Sequence, residues 1–252
     1  MKYILILIVL FFTSCSNFQG KLQNTIQSEN AKQIKNEYKE IINLLILYKK
    51  KLDKRNPSNY TKNFDRILHN EILNNTNTIT LPIGKSNSKK NYTQYLNYAF
   101  SKETTIKNRN DYLIVGFYKM FYHAYKMDIK HKITALSYDI VTLQNAYKNL
   151  QILQWKIKFN KDKLNQYLFL TWQNNWQIEL EKQLEHNSLD NIKLSDLKNI
   201  KLKTESLLDP SNTSFEVITS KMMLLMEKSI KRLNVEPEKL SIDALISLIF
   251  II

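Results

Sequence analysis

The chain contains very little glycine, proline and cysteine, with 3 Gly, 4 Pro and 1 Cys among its 252 residues. Turn-rich β-sandwiches and glycine-loop nucleotide-binding folds need more glycine than this. A single cysteine excludes a disulfide framework within the chain and a cysteine-based zinc site. Hydrophobic residues make up 43% of the sequence, which is enough for a packed core and argues against a wholly disordered chain. These absences favour an all-α protein.

Apolar residues recur three and four positions apart along most of the chain, and this spacing is typical of amphipathic helices. The pattern predicts helices over 31–52, 58–73, 92–100, 111–127, 133–157, 167–186 and 245–252, a short one near 194–206, and one opened by the capping box Thr213-x-x-Glu216. Segment 111–127 is apolar on nearly all sides, so we expect it to be buried. The predicted fold is an irregular multi-helix bundle with an N-terminal signal helix and a flexible tether.

The first fifteen residues have the layout of an export signal. Lys2 supplies a positive charge, Ile4 to Phe12 is an unbroken apolar run, and Cys15 follows two small residues. The pattern Phe12-Thr13-Ser14-Cys15 resembles the lipobox of bacterial lipoproteins. That resemblance implies lipidation of the Cys15 thiol, cleavage before it and, with Ser16 next, transport to the outer membrane. An ordinary signal peptide, or a buried membrane anchor with an incidental cysteine, is the alternative.

Composition along the chain suggests four parts. We expect a signal peptide over 1–14, a flexible tether over 15–30, a basic helical arm over 31–110 and an aromatic-rich helical bundle over 111–252. The arm contains a polar loop, 74–91, which is expected to be a surface loop.

Positive charge is concentrated near the predicted anchor. Residues 15–110 carry 17 basic and 7 acidic side chains, against 19 and 16 in residues 111–252. A basic segment near anionic lipid headgroups adds about 1 kcal/mol of attraction per Lys or Arg. Lys49, Lys50, Lys51 and Lys54 are therefore candidates for contact with a membrane surface. A basic surface without a function is the alternative to membrane contact. Only 4 of the 37 basic residues are arginines, and this scarcity, together with the predicted export, argues against nucleic acid as a partner.

Few residues carry a recognisable chemical pattern. The four histidines offer no metal-ligand spacing, and Gly84-Lys85-Ser86 lacks the first glycine of a phosphate loop, so we expect no metal and no cofactor. Two weaker candidates remain, an anion site and an aromatic groove for a glycan or an apolar ligand. Their residues are Lys119, His123 and Lys126 for the anion site, and Tyr118, Tyr122, Trp172 and Trp176 for the groove. In both cases a structural role on a helix is the alternative.

Three functions are compatible with this sequence. The first is a non-enzymatic lipid-anchored envelope protein of a Gram-negative-like bacterium, attached to the outer membrane, facing the periplasm and binding another envelope protein. The second is an envelope-binding module whose basic arm grips anionic lipid or cell wall. The third is a hydrolase of an envelope substrate whose catalytic residues the sequence does not identify.

Overall fold

The computed structural model describes residues 2–56, 59–84, 90–128, 137–171, 175–184, 191–202 and 214–241. The helices in these ranges are α1 (Lys2–Arg55), α2 (Phe64–Leu73), α3 (Tyr92–Ala99), α4 (Arg109–Ala124), α5 (Ile140–Phe159), α6 (Asn175–Leu184), α7 (Lys198–Lys201) and α8 (Ser214–Lys231). A single turn of 3-10 helix, Leu194–Asp196, precedes α7. No extended strand occurs in the described ranges, and Lys161 and Tyr167 form an isolated antiparallel bridge. The all-α prediction is confirmed.

Helix α1 supplies one wall of the core. Its buried apolar residues recur mostly at intervals of three and four, which places them on one face of the helix: Ala31, Ile34, Tyr38, Ile41, Ile42, Leu45, Tyr48 and Leu52. This face packs against α4 and α8. Glu37 fixes the contact with α8, because its carboxylate accepts hydrogen bonds from Ser229 Oγ at 2.6 Å and from Arg232 Nε at 2.9 Å.

Helix α4 lies at the centre, as its apolar composition predicted, and all but two of its residues are buried. Gly116 lets α3 approach α4 closely. A Cβ atom added at Gly116 would lie 2.5 Å from Leu96 Cδ2 and 3.3 Å from the Leu96 backbone nitrogen, too close for any larger residue without movement of α3.

Helix α5 begins at an aspartate cap rather than at the predicted position. Asp139 Oδ1 accepts hydrogen bonds from the backbone N–H groups of Val141 and Thr142, which closes the first turn. Leu143 and Leu150 are buried, as the seam of apolar residues predicted. The prediction is wrong for Ile140, which is 38% exposed because it occupies the first position after the cap. Ile133 and Leu136 lie outside the described residues.

The predicted division into tether, arm and bundle differs from the structure. Residues 15–30 lie within α1, so their backbone is helical and not a flexible tether. The arm and the bundle share one hydrophobic core, which runs from Ala31 to Ile230. The physical reason is that the apolar face of α1 packs against α4 and α8, which belong almost entirely to the other predicted part.

The region after α5 also departs from the prediction. A helix was expected over 167–186, but residues 167–171 are not helical, and α6 is described over Asn175–Leu184. The backbone of this stretch is bound elsewhere, because the Leu168 N–H donates to the Asn160 carbonyl at 3.0 Å and the Leu170 N–H donates to Asn56 Oδ1 at 3.1 Å. Helix α8 follows the predicted capping box, of which Thr213 lies outside the described residues, as do 245–252.

Loop 74–84 is held in place by Glu71, a buried residue of α2. The Glu71 carboxylate accepts hydrogen bonds from the backbone N–H groups of Thr78 and Ile79 and from the Thr78 hydroxyl at 2.9 Å. Burial opposes the charged form, but these hydrogen bonds outweigh it and lower the pKa of Glu71 below its usual value.

Replacing Glu71 with glutamine should lower the free energy of unfolding by about 1–3 kcal/mol at pH 7, because a strong acceptor of buried N–H groups is lost. A carboxylate whose pKa is depressed on folding stabilises above its unfolded pKa of about 4.3 and loses this contribution as the pH falls through the folded value. The difference between wild type and Glu71→Gln should therefore shrink as the pH falls below about 4. Urea unfolding across this range measures it, and a difference that does not depend on pH would contradict the assignment.

Among the described residues, no helix combines the length and the apolar content needed to cross a lipid bilayer.

Candidate anion-binding pocket

The four lysines predicted to contact a membrane do not share one face of α1, although Lys50 and Lys54, four residues apart, lie on the same side. Successive residues of an α-helix are rotated by about 100°, so a run of lysines cannot share one face. Lys50 and Lys54 are exposed, whereas Lys51 leans over the Phe215 ring, with Nζ 5.1 Å from its centroid. Lys49 is only 2% exposed. The predicted surface role is wrong for Lys49, whose side chain turns inward toward α2.

Lys49 is paired with two carboxylates. Its Nζ contacts Asp53 one helical turn along α1, and it lies 2.6 Å from Asp65 Oδ1 in the first turn of α2. Burial alone would lower the pKa of Lys49, but the hydrogen bonds to Asp53 and Asp65 outweigh burial and raise that pKa. Lys49 is therefore a charged, buried link between the two helices.

Behind Lys49 lies a cluster of buried polar groups at the start of α4. Asp53 Oδ1 accepts a hydrogen bond of 2.9 Å from Asn110 Nδ2, and Asp111 Oδ2 accepts one of 2.8 Å from the Thr61 backbone N–H. The other oxygens of Asn110 and Asp111 are buried and have no hydrogen-bond partner in the described part of the chain. Burial raises the pKa of Asp111 to about 6, while the Thr61 hydrogen bonds and nearby Lys49 oppose the rise.

A surface pocket of about 310 Å³ opens where α1 and α2 meet. Its lining consists of Ile46, Lys49 and Lys50 of α1 and Asp65, Arg66, Leu68 and His69 of α2. Lys50, Arg66 and His69 are exposed and form no ion pair within the ranges that the structure describes. The pocket thus places three basic side chains that have no ion pair among the described residues beside the charged Lys49. Ile46 and Leu68 form its apolar walls.

The sequence did not single out α2 as part of a site. Arg66 and His69 are three residues apart and therefore lie on one face of α2, a spacing that the sequence shows. The missing information was the packing of that face beside Lys49 and Lys50, which are distant in the chain.

The predicted anion site at Lys119, His123 and Lys126 is not assembled. Lys119 is 3% exposed, and its Nζ donates a 2.7 Å hydrogen bond to Asn77 Oδ1. His123 is exposed, and Lys126 pairs with Asp139 at 3.4 Å, beyond the end of α4. Each basic group has a different neighbour, so together they do not form one pocket for an anion.

The predicted aromatic groove is occupied by the chain's own loop. The hydroxyl groups of Tyr118 and Tyr122 donate hydrogen bonds to the backbone carbonyls of Thr76 at 2.6 Å and Asn75 at 3.3 Å. Both rings are buried, so they are not available to a ligand in this structure. Trp172 lies outside the described residues. Trp176 belongs to α6, more than 50 residues after Tyr122 in the sequence.

Two other predicted features are not decided by this geometry. Cys15 lies in α1, in a part of the helix whose side chains the structure does not describe, so lipidation stays a prediction. Within the described ranges, His, Cys, Asp and Glu side chains do not gather in groups of three or more that could hold a metal ion.

Comparison with known proteins gives no relative: no protein-family model, curated protein or solved structure matches the chain.

Proposed function

We propose that this chain is a non-enzymatic, lipid-anchored protein of the bacterial cell envelope that binds an anionic envelope component in the pocket between α1 and α2. The lipobox-like sequence at Cys15 supports the anchor and the outer-membrane location facing the periplasm. The observation that carries the binding role is the group of exposed basic side chains at the pocket, Lys50, Arg66 and His69, which form no ion pair among the described residues. An envelope protein as a further partner stays a prediction.

The pocket suits an anion better than the basic arm as a whole does. Screened charges on an open surface contribute little, whereas several cations around one concave site act on the same ligand group. Arginine adds a planar pair of donors that matches the oxygens of carboxylates and phosphates. The function thus rests on two short helical faces and not on net charge alone.

The length of α1 bears on what the pocket reaches. Cys15 and Lys50 are 35 residues apart in this helix, which corresponds to about 50 Å at 1.5 Å per residue. A straight helix standing upright on the anchoring membrane would hold the pocket far beyond the Debye length of about 8–10 Å. A helix lying along the membrane would place the pocket at the lipid headgroups.

Neutralising the pocket should weaken binding to an anionic surface. We expect the unlipidated chain carrying Lys50→Gln and Arg66→Gln to bind vesicles of phosphatidylglycerol in phosphatidylcholine about 30-fold more weakly than wild type at low salt, since each of the two cations contributes about 1 kcal/mol. The salt dependence should also become shallower. Vesicle sedimentation over a range of salt concentrations measures both effects.

A matched control separates the pocket from net charge. Lys39 and Lys221 are exposed and form no described ion pair, so Lys39→Gln with Lys221→Gln removes the same charge elsewhere. This control should bind nearly as wild type does. If both double variants lose the same affinity, the binding depends on overall charge and the pocket has no special role.

A further inference from the structure

We propose that the Asp65 carboxylate is a built-in competitor in the α1–α2 pocket, and that a phosphate group binds by displacing it from Lys49. This inference rests on the proposed function, because it concerns the same pocket. It adds the chemical class of the ligand and a residue that sets the affinity.

The two carboxylates that hold Lys49 differ in how firmly they are fixed. Asp53 is 7% exposed and also accepts a hydrogen bond from Asn110, so it is tied to the core. The side chain of Asp65 is 60% exposed, and Lys49 is its one hydrogen-bond or ion-pair partner in the described part of the chain. Asp65 is therefore the partner that can leave.

Separation of Asp65 from Lys49 requires little free energy, because neither group is left buried without a partner. An exposed carboxylate is readily solvated when it turns into water, so its loss from the ion pair with Lys49 is partly offset by hydration. Lys49 keeps its buried partner Asp53, so no unpaired charge is left inside the protein.

An incoming phosphate would gain more than Asp65 gives up. Asp65 satisfies only Lys49, whereas a ligand in the pocket lies among Lys49, Lys50, Arg66 and His69. A phosphate carries up to two negative charges and several acceptor oxygens, so it can meet Lys49 and a bidentate arginine at the same time. A carboxylate has only two oxygens and would reproduce the contact that Asp65 already makes.

Removing the competitor should tighten binding. We expect Asp65→Asn in the full unlipidated chain to bind inorganic phosphate about two- to five-fold more tightly than wild type, as loss of a weak competing ion pair implies. Arg66→Gln should weaken binding in both backgrounds. Titrations followed by NMR of the backbone amides of α2 and of the Lys49 ammonium group measure affinity and site together.

A control variant tests whether the gain comes from charge alone. Glu103 lies on the loop after α3. Its side chain is 54% exposed and pairs with Lys163, much as the exposed Asp65 side chain pairs with Lys49. Glu103→Gln removes one negative charge outside the pocket and should leave phosphate affinity unchanged. An equal gain in Glu103→Gln and Asp65→Asn would overturn the competitor role.

The Lys49 ammonium signal distinguishes the remaining outcomes. Displacement requires that phosphate shift this signal in wild type. If phosphate binds both proteins equally and the signal does not move, the pocket binds anions but Asp65 is not a competitor. If neither protein binds phosphate, this inference is wrong; if both also ignore anionic vesicles, the proposed function is wrong as well. A parallel titration with phosphatidic acid vesicles shows whether the phosphate group is taken free or as a lipid headgroup.

Discussion

Replacing Lys49 with methionine should lower the free energy of unfolding by about 3–5 kcal/mol at pH 7, the usual effect of removing one partner of a buried ion pair. Methionine retains much of the aliphatic volume that packs near Tyr60 and Phe64, so the loss is mainly electrostatic. It leaves the buried Asp53 carboxylate without its cation, and Asn110 alone cannot neutralise that charge. Urea unfolding followed by circular dichroism measures the change.

The effect of Lys49→Met should depend on pH, and Asp111 sets the direction. Its folded pKa, raised by burial to about 6, lies above the unfolded value of about 3.9. A carboxylate of this kind binds more protons in the folded state, so it favours folding at low pH and loses stability as the pH rises through its folded pKa. Lys49 lowers the pKa of Asp111, so its removal should raise that pKa further. The variant should therefore be least destabilised near pH 4 and most above about pH 6.

Lys50 provides the control for Lys49, because it is the next residue on the same helix but is exposed. Lys50→Met should change the free energy of unfolding by less than about 0.5 kcal/mol, as surface substitutions usually do. Equal effects of the two substitutions would show that the inward position of Lys49 is unimportant for stability.

The sequence predicted best the bounds and burial of helices whose apolar pattern alone determines which faces are buried. For α3 and α4 the observed bounds fall within three residues of the expected ones. Burial of α4 also followed, because a helix that is apolar on nearly all sides has no face to turn toward water. Its lysine, Lys119, is buried too, which the pattern does not reveal.

The residues that the sequence misplaced depend on contacts between distant segments. A run of lysines indicates a basic surface only if no carboxylate lies nearby, and Asp65 approaches Lys49 from another helix. Asp53, four residues after Lys49, was the local signal that this lysine could be paired. The tyrosines of α4 were read as a groove because loop 74–84 has no periodicity from which its docking could be inferred. Those tyrosines instead bind the carbonyls of that loop.

Core stability and the candidate site share one residue. Lys49 links α1 to α2 and thereby shapes the pocket, and the same ammonium group neutralises Asp53 beside the start of α4. A substitution at Lys49 would therefore confound loss of binding with loss of fold. Lys50, Arg66 and Asp65 lie on the exposed side of the same pocket, so they report on binding with less disturbance of the core.

Replacing Cys15 with serine should abolish attachment of lipid entirely. The reason is that the one cysteine of the chain directly follows the apolar run and two small residues. Lipoprotein acylation needs a thiolate nucleophile, which a serine hydroxyl does not replace at neutral pH. Expressed in a lipoprotein-processing bacterium, Cys15→Ser should accumulate as the unprocessed precursor and take up no lipid label, as read by gel migration and by mass.

Ser14→Ala is the matched control, because it keeps a small residue before the cysteine and leaves the thiol in place. We expect it to be processed and labelled as wild type is, and two or more acyl chains at Cys15 then hold the protein on the membrane stably. Normal processing and labelling of Cys15→Ser would show that the leader is of another kind. The α1–α2 pocket would then belong to a protein without a lipid anchor, and the phosphate titrations, which use the unlipidated chain, would still decide whether it binds.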